Sequence, residues 1–110
     1  LLIIGIIGVS FSQSSLELSE TAKRWRVNQP ETYKEVKDFV LLKHKGNDEM
    51  MICNINAQFD ASDEMALIFI SKNYNERLMK EMFKRFNNAD YISIVETYKK
   101  EVAELAKSKY

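Results

Sequence analysis

The chain has 110 residues, enough for one domain with a modest core. Its 16 basic and 16 acidic residues cancel, and they are interleaved along the sequence rather than gathered in blocks. That balance gives no electrostatic case for binding nucleic acid or anionic lipid, and a hydrophobic content of 45% argues against a disordered chain.

The first element is the apolar run Leu1 to Val9, within "LLIIGIIGVSFSQSS". It is well short of the ~20 residues that a membrane-spanning helix needs. Gly5 and Gly8 also make it a poor core strand, because they leave little side chain to pack. A secretory signal fits better: an apolar stretch followed by small residues, here Ser10 and Ser12 at positions −3 and −1 of a cut after Ser12. Neither an initiator Met nor a basic leader precedes the run, so the sequence is expected to begin inside the signal. Residues 1–12 are thus expected to be a signal remnant and 13–110 a single helical domain. The product would be exported, to the periplasm or the exterior, with no stable membrane span after cleavage.

Beyond the signal, Pro30 and Gly46 are the only proline and glycine, a scarcity that favours helices over a turn-rich β domain. A first helix is expected from Leu16 to Val27, with Leu18, Ala22 and Trp25 on one face. Pro30 biases Gln29 out of the α region and suits the first turn of a second helix, Pro30 to Lys45. That helix aligns Tyr33, Val36, Phe39 and Val40. Gly46 can close it in the left-handed conformation, with Lys43, His44 and Lys45 at the negative end of the dipole.

Asn47 is placed to cap a third helix, with Asp48 and Glu49 in its first turn. Its expected stripe is Met51, Ile52, Ile55, Phe59, Ala66, Phe69 and Ile70, with a break near Ser62 as an option. Asn73 and Glu76 read as the cap pair of a fourth helix carrying Met79, Met82, Phe83 and Phe86. The last helix has the most regular pattern: Tyr91, Val95, Tyr98, Val102 and Leu105 form a seam at steps of four and three. It is expected to pack on the Met79–Phe86 face across the "NNAD" connection, or to pair two chains.

One segment also supports a different reading. From Met51 to Phe59 apolar residues alternate with Asn54, Asn56 and Gln58, and "ALIFI" (66–70) is β-friendly. The two could form a hairpin through "DASD", giving an α+β fold. The lack of glycine and the flanking caps favour helix. The expected fold is therefore all-α, a bundle of four to five helices.

No catalytic, cofactor-binding or metal site is assigned. His44 is the only histidine, and nothing near it builds an oxyanion hole or a nucleophile elbow. Asp48/Glu49 and Asp63/Glu64 are read as helix-start acids rather than a hydrolytic pair. Cys53 cannot form an internal bridge and is expected to be a buried thiol. The pairs Met50/Cys53 and Met79/Met82 could share helix faces and hold a soft metal such as Cu(I), although methionine more simply fills a helical core. Trp25, between Arg24 and Arg26, is a core residue or a recognition patch.

No characterised family's motif is matched, and the whole reads as a small exported bacterial protein. The leading functional expectation is a non-catalytic binding module with a protein partner, or self-association through the C-terminal helix. A copper-handling protein is the alternative and a small hydrolase the third reading.

Overall fold

The computed structural model describes residues 17–108. The signal-like segment 1–12, its cleavage position and Leu16 lie outside the described residues. Five helices follow one another: α1 (Glu20–Asn28), α2 (Pro30–His44), α3 (Asp48–Phe69), α4 (Glu76–Arg85) and α5 (Tyr91–Ser108). There is no strand among the described residues, so the all-α expectation holds and the hairpin alternative does not. Segments 51–59 and 66–70 belong to one helix of 22 residues and its C-cap, with no break at Ser62.

The polar residues that suggested a strand each have a helical explanation. Asn54 Nδ2 donates to the Met50 carbonyl one turn back at 2.8 Å. Asn56 ties down the chain ahead of α1, accepting from the Ser19 amide at 2.8 Å and donating to the Glu17 carbonyl at 2.9 Å. Gln58 is buried and turns toward the start of α5. The apolar partners Met51, Ile55 and Phe59 are four apart, so they share a helical face as readily as a strand face.

Helix α3 is the shared wall of two cores. Its first half packs with α1 and α2 around Ala22, Val36, Val40, Ile55 and Phe59, joined by Ala89 from the α4–α5 connection. The Phe59 ring lies between Trp25, 5.4 Å away, and Tyr33, 5.7 Å away, both stacked. Burying such a ring contributes about 1.5–3 kcal/mol. The second half packs on α5, which α4 covers in turn, and the shared cluster is Ala61, Met65, Met79, Met82, Ile94, Val95 and Tyr98. At about 100° per residue, the buried stripe of α3 swings by roughly a third of a turn between the two halves. The expected straight stripe is therefore wrong beyond Phe59: Ala61, Met65 and Ile68 face the core, while Ala66, Phe69 and Ile70 are exposed.

Caps define most boundaries. Ser19 Oγ accepts from the Ala22 amide, so α1 begins at Glu20 and not at Leu16. Pro30 opens α2 as expected, since its missing N–H costs nothing in the first turn, and Gln29 before it makes no side-chain cap bond. Gly46 has φ +87° and turns the chain into α3, where Asn47 Oδ1 accepts from the Met50 amide at 3.1 Å. The cap of α4 is Asn75, not Asn73: its Oδ1 accepts from the Leu78 amide at 3.0 Å. Tyr98 fixes that choice, because its hydroxyl accepts from the Asn75 amide at 2.9 Å.

The seam of α5 is partly corrected. It packs on α4 as expected, and also on α3. Its centre is Ile94, Val95 and Tyr98, with Tyr91 and Val102 half-buried. Leu105 is 49% exposed, because it lies a turn beyond Val102, the last residue of α5 that packs against the core.

Candidate interaction surface

Two places on the described chain depart from ordinary core or ordinary surface: a buried polar junction and an uncovered apolar ridge. The junction joins α3 to the start of α5. Gln58 Nε2 donates to Asp90 Oδ1 at 3.0 Å, and Gln58 Oε1 accepts from the Ile92 amide at 3.0 Å. Asp90 also accepts from the Ser93 hydroxyl at 2.7 Å and from the Ser93 amide at 3.3 Å, which makes it the N-cap of α5. Burial pushes the Asp90 carboxyl upward, but the hydrogen bonds from Ser93 and Gln58 outweigh it and hold the group below its ordinary value. The chemistry is that of a satisfied helix cap. Its role is to hold the two cores in register.

The ridge is at the far end of α3. Residues Met65 to Ile70 are apolar without interruption. Met65 and Ile68 are spent on the second core. Ala66, Leu67 and Ile70, at spacings of three and four, share the opposite face, where Leu67 is 66% and Ile70 81% exposed. Helix α1 covers this side of α3 only as far as Asp63. There Trp25 Nε1 donates to Oδ1 at 3.4 Å and Arg24 Nη2 to Oδ2 at 3.5 Å. Phe69 turns the other way and meets the edge of Tyr74 at 5.3 Å. A helix end that is apolar on both faces has the composition of a helix covered on both faces.

The residues singled out by sequence do not converge on a catalytic site. His44 is half-buried in the last turn of α2. Asp48 and Glu49 lie in the first turn of α3 as expected, but Asp63 and Glu64 are mid-helix. Asp63 binds α1, and Glu64 pairs with Lys99 of α5 at 2.8 Å, which raises the lysine's pKa chiefly through that hydrogen bond. Cys53 is exposed, contrary to the expectation of a buried thiol, and so is Met50. Met79 and Met82 are fully enclosed in the second core. Trp25 does core work on Phe59 while its rim lines a shallow hollow of about 240 Å³ with Arg24, Asn28, Gln29 and Asp63.

A cleft of about 600 Å³ is an open groove between the α3–α4 turn and the end of α5, with Tyr74, Val102 and Leu105 at its apolar side. Glu76 is its one carboxylate among the described residues, and it is bridged to Lys80 at 3.2 Å. A second, more apolar cleft of about 320 Å³ lies between α2 and α3 over Tyr33, Met51 and Ile52. Among the described residues no three His, Cys, Asp or Glu side chains are grouped to hold a metal ion, and no helix is long and apolar enough to cross a membrane.

The stripe expected from spacing included Ala66, Phe69 and Ile70, which hid the ridge. The signal available was the unbroken apolar run itself, which is too wide for a helix with one buried face. Comparison with protein families, with curated proteins and with solved structures returned no match.

Proposed function

We propose that this chain is a small exported, non-catalytic binding module whose contact surface is the Ala66–Leu67–Ile70 ridge of α3. The observation that carries this reading is the exposure of Leu67 and Ile70 on a helix end whose other face is already committed to the core. Leaving two large aliphatic side chains in water forgoes about 1.5–3 kcal/mol each, and a contiguous exposed apolar face is the usual mark of a protein contact. Export is supported by the signal-like pattern of residues 1–12 and is tested separately: the exported product should begin at Gln13.

The surface is tested by a photo-crosslinking residue placed at position 67 in the producing cells. Discrete cross-linked products are expected, lost when Ile70→Lys is added and absent when the cross-linker is at Leu42, which is still more exposed. Loss of position dependence between 67 and 42 would remove the ridge as the binding face.

A further inference from the structure

Helix α4 is attached to the molecule differently from the other four. Helices α1, α2 and α3 pack on one another and α5 packs on α3, but among the described residues α4 packs on α5 alone. It has 10 residues, fewer than the ~12–15 at which an isolated helix becomes even marginally stable in water. It is therefore helical only while its apolar face, with Met79 and Met82 inward, lies against its neighbour. The two ends of α4 are held unequally. Beyond its C-terminal end, Ala89 belongs to the first core and Asp90 is bonded to Gln58, so the chain is anchored there whether or not α4 is in place. Between that anchor and α4, Phe86 is extended, with φ −118° and ψ 159°. The leading end is latched by side chains: the Asn75 amide donates to the Tyr98 hydroxyl at 2.9 Å, and Tyr74 meets Phe69 at 5.3 Å. The bidentate Arg85–Glu101 pair, at 2.6 and 3.1 Å, sits next to Phe86, where a swing of the helix moves it least.

We propose that α4 is a lid, which swings away from α5 as one unit about Phe86 while α1, α2, α3 and α5 stay folded. Opening breaks the Tyr98 latch and leaves the Gln58–Asp90 bond intact. It takes Tyr74 off Phe69, and it removes residues 73–76 from the wall of the 600 Å³ groove beside Val102 and Leu105. The lid thus sets how much apolar surface this end of the molecule presents. The device is independent of the ridge as a contact face.

Native-state hydrogen exchange of the purified chain in low concentrations of urea tests this. The amides of residues 79–86, which close the turns of α4, are expected to exchange together. Their opening should depend less steeply on urea than that of the α2 and α3 amides, because it uncovers less surface. Tyr98→Phe removes the latch bond and should speed exchange at 79–86 roughly two- to tenfold. Ile55→Val weakens the first core, which stays folded when the lid is open. It should speed the slowest α2 and α3 amides, also roughly two- to tenfold, and leave 79–86 unchanged. That asymmetry belongs to a lid and not to a single cooperative unit. An equal urea dependence for α4 and the core, or an equal response of both to Ile55→Val, overturns the proposal. So does exchange at 79–86 that is independent of urea, which is fraying residue by residue, or that is indifferent to Tyr98→Phe.

Discussion

Gln58 and Asp90 are hydrogen-bonded at 3.0 Å across 32 residues of sequence, and both are almost wholly buried, at 4% and 7% exposure. The amide uses both ends, giving its N–H to the carboxylate and taking the Ile92 amide on its oxygen. One side chain from α3 therefore satisfies the cap residue and a first-turn amide of α5, close to the point where the two cores meet at Tyr91.

Asp90→Ala should destabilise the fold by about 2–4 kcal/mol. Loss of a cap costs about 0.5–2 kcal/mol, and the Gln58 amide left unpaired in the interior adds about 1–3. Urea unfolding followed by circular dichroism measures the change. Asp90→Asn keeps one acceptor for the Ser93 amide and should cost less than the alanine variant.

The same pair sets an acid limit. Asp90 has a folded-state pKa below its ordinary value, so the unfolded chain binds its proton first as pH falls. Its contribution is fully present above the ordinary carboxylate range and is lost as pH drops through that range to the depressed folded value. Unfolding free energies of the native chain and Asp90→Asn, compared across that acid window, should converge as pH falls. A constant gap would mean that the carboxylate's charge contributes nothing.

Ile94 and Leu105 are expected to behave oppositely, although both are aliphatic and both lie on α5. Ile94 is fully buried, and Ile94→Ala should cost about 2–5 kcal/mol through lost transfer energy and a cavity. Leu105→Asp places its charge at a half-exposed position and should cost about 1 kcal/mol or less. Thermal unfolding of the two variants separates them, and an equal loss would return Leu105 to the core.

Gly46 has open space where a Cβ would go, so only its backbone opposes substitution. With φ at +87°, Gly46→Ala should cost about 1–2 kcal/mol, and Gly46→Asn less, since asparagine tolerates the left-handed region better. Chemical denaturation of both variants gives the order, and a neutral alanine would show that the α2–α3 turn is free to change its shape.

The all-helical class, the Pro30 start, the Gly46 turn and the Asn47 cap are determined by the sequence alone, because each rests on one residue's own backbone or side-chain geometry. Even Val36 and Val40, Met79 and Met82 could be placed from spacing, since each pair lies on a short helix with one buried face. The tertiary structure alone decided where the stripe of α3 turns. Periodicity assumes one buried direction per helix, and α3 serves two cores in two directions, so the core passes from Phe59 to Ala61 and Met65 and leaves Leu67 and Ile70 in water. The α4 cap was likewise decided at a distance: Asn73, with Glu76 three residues on, is the stronger local signal, yet the Tyr98 hydroxyl, 23 residues away, holds the amide of Asn75, which is the cap. Gln58 had no local reason to be buried at all; only the arrival of Asp90 beside it makes that burial affordable, because a buried amide is tolerated once both of its ends are hydrogen-bonded.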